Sequence, residues 1–159
     1  MNMRFSGDDL SSRTLSIIDD LKHLEGPLLP ILHAVQDAFG YVPDEVKPII
    51  AQALNLSRAE VHGVVSFYHD YRHQPAGRHV LKLCLAEACQ SMGGNELADS
   101  AKRLLGIGMH ATTADGSVTL EPVYCLGLCA CAPAAMLDGE VHGRVDANRL
   151  AGLLAEVRR

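Results

Sequence analysis

The sequence predicts an α+β fold, a helical N-terminal half followed by a small sheet-and-helix half, on three observations. From Leu10 to about Tyr71 apolar residues recur with a helical period, and no period-two alternation is long enough for a strand. After the breaker segment Gln74-Pro75-Ala76-Gly77 the pattern changes to short apolar runs interleaved with helical ones. With 48% hydrophobic and 21% charged residues, the 159-residue chain has the composition of a folded core. That length suits one ordinary domain or two small ones, and the breaker segment divides it into residues 1–76 and 77–159.

In the first half the pattern predicts four helices. The first runs from about Ser11 to Leu24, with Leu15, Ile18 and Leu21 on one face, and stops at Gly26-Pro27. The second covers Leu28 to Phe39, where Gly40 offers the left-handed position that a residue with a Cβ avoids. Tyr41-Val42-Pro43 is extended, because the residue before a proline is pushed out of helical geometry. A third helix spans Asp44 to about Leu54. The fourth opens on Ser57-Arg58-Ala59-Glu60, a capping box in which serine and glutamate side chains satisfy each other's free backbone donors.

In the second half, Arg78 to Leu85 reads as a strand and Asn95 to Leu105 as a helix, with Asn95 as its cap. Ser117 to Tyr124 and Ala134 to Leu137 read as further strands, and Val141 to Val145 as a hairpin partner across Asp138-Gly139. Asp146 to Val157 closes the chain as a helix. Such an order describes a two-layer unit, a sheet covered by helices.

Composition then excludes several functions. Lysine and arginine total 14 against 19 aspartate and glutamate, a net charge of -5, so no basic field exists for a phosphate backbone or an anionic membrane. Aromatic residues supply 4% and tryptophan is absent, which argues against base-stacking platforms. Where a secretory signal would carry its apolar stretch stand Asp8, Asp9, Ser11 and Ser12, and the chain reads as cytoplasmic. The longest run without charge, Pro122 to Leu137, is shorter than a membrane-spanning helix and broken by Gly127 and Pro133. In a reducing compartment the five cysteines are thiols, so metal or redox chemistry is a better starting point than a disulfide framework.

All five cysteines lie in the second half, as Cys84-x4-Cys89 and Cys125-x3-Cys129 with Cys131 beyond. Each close pair follows a predicted strand, where a loop can turn two thiolates toward one point. Gly127, Ala130 and Ala132 let the second loop's backbone approach and aim N–H groups at sulfur. Four readings stay open on spacing alone. A [2Fe-2S] cluster takes two thiolates on each iron, often set widely apart; zinc takes four, more often with narrower gaps. The thiols also pack as small apolar groups, and a thiol–disulfide role lacks the usual C-x-x-C. Two pairs already fill four positions, which leaves Cys131 outside the ligand set.

The eight histidines carry less. His62 and His69 share a face of the fourth helix but are separated by two turns, about 10.5 Å of rise, too far for one ion, so packing in a core or interface is expected of them. Gly93-Gly94 lacks the lysine and hydroxyl that a phosphate loop needs. No nucleophile, base and orienting group come together, so no catalytic residue is expected.

The motifs as a set carry a family resemblance. Cys84-x4-Cys89, Cys125-Leu126-Gly127-Leu128-Cys129, Ala132-Pro133 and Leu137-Asp138-Gly139 resemble the thioredoxin-like [2Fe-2S] ferredoxins that accompany an FMN-bearing subunit in NAD-linked complexes. Leu29-Pro30-Ile31-Leu32, Gln36 with Gly40-Tyr41-Val42-Pro43, and Val61-His62-Gly63-Val64-Val65-Ser66-Phe67-Tyr68 are similar to the helical segment before that cluster domain, so the likeness covers nearly the whole chain. Within the family, the wording Phe67-Tyr68-His69-Asp70-Tyr71-Arg72 most resembles the gamma subunits of NAD-dependent, molybdenum- or tungsten-containing formate dehydrogenases. The equivalent subunits of NADH:quinone oxidoreductase (respiratory complex I) and bidirectional hydrogenase are close relatives.

The resemblance implies a helical bundle followed by a thioredoxin-like domain. It implies one [2Fe-2S] cluster, with Cys84 and Cys89 on one iron and Cys125 and Cys129 on the other. It further implies a non-catalytic electron-transfer subunit beside a beta-type partner that binds FMN and NAD, and through that partner a molybdenum- or tungsten-containing catalytic subunit. On this view Tyr41, Val61, Val65, Phe67 and Tyr68 form either an apolar face for the flavin subunit or the bundle's own core.

Overall fold

A computed structural model describes residues 7–157, which divide between two compact units, Met1–Pro75 and Ala76–Arg159. In the first unit, helix α1 (Gly7–Leu21) carries Asp8 and Asp9 in its first turn, where carboxylates favour the positive end of the helix dipole. It begins earlier and ends earlier than the sequence suggests. Its buried stripe is Leu10, Thr14 and Ile18, spaced four apart, while Leu15 faces solvent. Thr14 enters this stripe because its hydroxyl donates to the Leu10 carbonyl at 2.6 Å.

Helix α2 (Leu28–Phe39) ends at Gly40, whose φ of +81° lets its N–H reach the Gln36 carbonyl. The expected single helix from Asp44 is in fact a 3-10 turn, Asp44–Val46, followed by α3 (Lys47–Ala53). Pro48 explains the break, since it has no N–H to continue a preceding turn yet suits the first turn of a new helix. Helix α4 (Arg58–Phe67) has the expected capping box. The Ser57 hydroxyl accepts from the Glu60 N–H at 3.1 Å, and the Glu60 carboxylate accepts from the Ser57 N–H at 2.8 Å.

The bundle core is aliphatic, with Ile31, Leu32, Val35, Ile50, Val61 and Val65 fully buried. The core decides between the two roles open to these apolar residues. Val61 and Val65 belong to the core and present nothing outward, and Tyr41 packs against the same cluster. Phe67 and Tyr68 alone of the proposed face are exposed, at 73% and 44%. His62 and His69 are exposed too, and because α4 stops at Phe67 they do not share a helix.

The second unit runs β1 (His79–Cys84), a short α5 (Glu87–Ser91), α6 (Gly94–Leu105), β2 (Ala111–Thr112), β3 (Val118–Val123), a 3-10 turn (Cys129–Cys131), β4 (Ala135–Leu137), β5 (Glu140–His142) and α7 (Ala147–Val157). The sheet order is β2-β3-β1-β4-β5. Only the β1–β3 pair is parallel, and the chain between those strands passes through α6, as a crossover requires. Register puts Leu81 beside Leu120 and Leu137, and Leu83 beside Ala135. These side chains share one core with Leu97 and Ala101 of α6 and Leu150 and Leu154 of α7. The architecture is α+β.

Local chemistry accounts for the ends of these elements. Asp138 and Gly139 have φ of +51° and +90°, the turn a two-residue hairpin favours. The partner strand is Glu140–His142, shorter than expected, and Val145 is instead fully buried below it. Asp146 lies just outside α7 and caps it, its carboxylate accepting from the Arg149 N–H at 2.8 Å. Helix α6 starts at Gly94, one residue before Asn95, and its cap is Gly93 at φ +91° with no side-chain bond.

Candidate metal centre

Parallel pairing of β1 and β3 brings two cysteine loops to one end of the sheet, because Cys84 lies opposite Val123 and both strands end there. The Cys84 N–H donates to the Ala134 carbonyl at 3.0 Å, and the next N–H, of Leu85, donates to Val123 at 2.9 Å, so both neighbouring strands hold this corner. The chain then turns into α5, where the Cys89 N–H closes on the Ala86 carbonyl at 2.9 Å. Cys84 and Cys89 are both buried, packed with Ala132 and Ala134. The sequence reading weighs Gly93-Gly94 only as a phosphate loop and rejects it. The structure gives Gly94 a function there, since a Cβ on it would stand 2.7 Å from the Cys89 carbonyl oxygen and 3.3 Å from that of Cys84.

The second pair sits on the loop after β3. Cys125 holds φ at +104°, a left-handed conformation that costs a side-chain-bearing residue free energy. The bend turns its sulfur back over the loop, where it accepts the Gly127 N–H at 3.4 Å and lies 3.7 Å from the Cys129 sulfur. Cys125 and Cys129 are exposed, and Tyr124 beside them is 74% exposed. Cys131 ends the 3-10 turn that Cys129 begins. It is half-buried, and its N–H is bonded to the Leu128 carbonyl at 2.8 Å.

The two pairs sense each other. Burial works against a Cys84 thiolate, but donation from the Ala86 N–H, the Cys89 thiol and the Leu126 and Cys125 N–H groups outweighs it and holds this thiol below its usual range. Burial pushes the Cys89 thiol up, helped by its bond to Cys84 and by the charges of Cys84 and Cys129. Cys129 is raised first by its bond to Cys125, then by the charge of Cys125, with a smaller contribution from Cys84. The thiols of the two loops therefore lie close enough to perturb one another, as thiols meeting at one point must.

The donor set suits iron in twos. Among the described residues no three His, Cys, Asp or Glu side chains are placed to hold a single ion in common, and the thiols instead approach pairwise. Four soft sulfur donors arranged as two pairs fit a binuclear iron–sulfur cluster, in which each iron takes two thiolates.

Comparison with known proteins agrees with this chemistry. A family model described as thioredoxin-like [2Fe-2S] ferredoxin matches residues 14–158. The chain is 39% identical over 142 residues to an NADH-quinone oxidoreductase subunit of Pseudomonas aeruginosa, covering 87% of this chain and 86% of that protein. It is 33% identical over 147 residues to the NADP-reducing hydrogenase subunit HndA of Solidesulfovibrio fructosivorans, covering 92% and 86%. Its fold is similar to part of a solved NAD+-reducing [NiFe]-hydrogenase in the air-oxidized state. There the TM-score is 0.69 at 24% identity, over 82% of this chain and 22% of that one.

Proposed function

Because the chain belongs to the thioredoxin-like [2Fe-2S] ferredoxin family, we propose that it serves as the one-cluster electron-transfer subunit of an NAD(P)-linked oxidoreductase, beside a subunit that binds FMN and the nicotinamide. The observation that carries this is the meeting of two cysteine pairs where β1 and β3 end. Cys84 and Cys89 hold one iron and Cys125 and Cys129 the other. When bound, the cluster supplies a one-electron acceptor, which matches a flavin that exchanges a hydride with NAD and releases electrons singly.

The chain's own residues set where and how electrons pass. Burial of Cys84 and Cys89 shields one side from water, while exposure of Cys125 and Cys129 turns the other toward a partner. N–H groups of Ala86, Leu126 and Gly127 pointing at sulfur stabilise negative charge on the ligands. In this reading the hydride and substrate steps belong to the partner subunits, and this chain holds and positions the cluster.

For the parent complex, the relatives support an NADH:quinone oxidoreductase or a hydrogenase, whose subunit names they carry. A second reading, the gamma subunit of a cytoplasmic formate dehydrogenase with a molybdenum- or tungsten-containing catalytic subunit, draws on the wording Phe67 to Arg72. Purifying the native complex without oxygen and identifying its polypeptides tests both. NADH-dependent quinone reduction or hydrogen-dependent NAD(P) reduction supports the first, and formate-dependent NAD reduction with molybdenum or tungsten present supports the second. A purified chain holding zinc and no iron sinks the cluster assignment altogether.

A further inference from the structure

Gly143, between β5 and α7, lies against the turn that carries Cys129. A Cβ built on Gly143 would stand 2.7 Å from the Cys131 Cβ and 3.0 Å from the Cys131 carbonyl oxygen, closer than packed carbon atoms tolerate. The contact has little room to relax. The Arg144 N–H donates to that same Cys131 carbonyl at 2.6 Å, and the Val145 N–H donates to the Pro133 carbonyl at 2.9 Å. Val145 is fully buried in the sheet core, and Asp146 fastens the following helix. Residues 143–145 are thus pinned from both sides, and the side that can give is the short turn Cys129–Cys131.

We infer that Gly143 is a positioning residue for the metal centre. By having no Cβ it lets residues 143–145 clamp the backbone of Cys131, and through this turn it sets where the Cys129 sulfur stands. Cys131 is then a packing neighbour of Gly143, and it holds no iron. The inference rests on the proposed function above, in that Cys129 is taken as a ligand.

A double-substitution cycle on the full-length chain, purified without oxygen, tests it. Gly143→Ala is expected to change the electron paramagnetic resonance spectrum of the reduced protein. It is also expected to release iron to a chelator roughly 10-fold faster, the scale of losses seen when groups supporting a ligand are disturbed. Cys131→Gly alone should match the parent protein. Combined with Gly143→Ala it should restore most of the parent spectrum and iron retention, because the closest clash is with the Cys131 Cβ itself. Cys131→Gly removes both Cβ and Sγ, so the single Cys131→Gly variant controls for the lost thiol, and rescue in the double variant reads the Gly143–Cys131 contact. If Gly143→Ala does not accumulate, the double variant decides: a red protein supports the inference and a colourless or insoluble one overturns it. A red parent with an indifferent Gly143→Ala, or a double variant as damaged as the single, overturns the positioning role alone. A parent chain with zinc in place of iron overturns the reading beneath it.

Discussion

Gln36 clamps the backbone around Arg72. Its amide oxygen accepts the Arg72 N–H at 2.7 Å and its amide nitrogen donates to the Asp70 carbonyl at 2.8 Å, across more than thirty residues of sequence. The Val42 N–H adds a third fastening to the Arg72 carbonyl at 2.8 Å, so the segment leaving α4 is tied to α2 and to the connector after it. Tyr71 is buried in the same place, its ring 5.2 Å from that of His33 and its hydroxyl donating to Leu29. The exposed Phe67 and Tyr68 therefore stand on an anchored backbone.

Replacing Gln36 with alanine removes both side-chain bonds and leaves a backbone donor and acceptor without them. The bundle should lose about 1–3 kcal/mol of stability. Limited proteolysis should cut faster between residues 68 and 75, and thermal denaturation checks the stability loss.

Phe67 and Tyr68 contribute little to the bundle's interior, and their rings meet edge-on at 5.2 Å on its surface. If they form part of the flavin subunit's docking surface, Phe67→Asp with Tyr68→Ser should weaken association by roughly 10-fold or more, as loss of an aromatic anchor does. Circular dichroism of the isolated chain should not change. Unaltered affinity in a titration against the flavin subunit would remove these residues from the interface.

Serine substitution of single cysteines separates ligands from spacers. Cys84→Ser should abolish or severely reduce iron binding, because Cys84 receives donors from both loops and shares a hydrogen bond with Cys89. Cys131→Ser should retain close to the parent's iron content, measured chemically after anaerobic purification. Equal loss in the two variants contradicts the ligand set.

Lys47 is 5% exposed and its ammonium meets the Asp44 carboxylate at 2.6 Å. The hydrogen bond from Lys47, then its charge, holds Asp44 below the usual carboxylate range, with smaller help from His73 and His62. A carboxyl depressed by folding adds stability that is fully present above its unfolded value, about 3.9, and is lost as pH falls through the lower folded value. Bundle stability should therefore decline in acid below about pH 4, and Asp44→Asn should flatten that part of the profile while lowering stability at neutral pH.

Local chemistry made much of this protein legible. The Ser57–Glu60 box, the Gly40 cap and the Asp138-Gly139 turn each depend on residues adjacent in sequence, and each stands where the pattern places it. Pro48 sits inside an apolar helical pattern whose period hides, in the sequence, the break it makes in the structure. Strand β2 is two residues long and α5 five, too short to establish any period. Val61 and Val65 looked as suitable for an interface as for a core, because a helical stripe records which residues are apolar and not what covers them. In the metal centre the cysteine spacing stood out at once. The close approaches of Gly94 to Cys89 and of Gly143 to Cys131 did not, since a glycine chosen for a distant backbone looks like any glycine in a loop.

The parallel pairing of β1 with β3 also orders events in time. Cys84 and Cys89 follow one strand and Cys125 and Cys129 the other, so a nascent chain has only half a binding site until α6 has crossed over and the two strands have paired. Closing so long a segment is slow compared with forming a helix or hairpin. With these four cysteines as the proposed ligands, the site is therefore complete only once the crossover through α6 has closed and β1 has paired with β3.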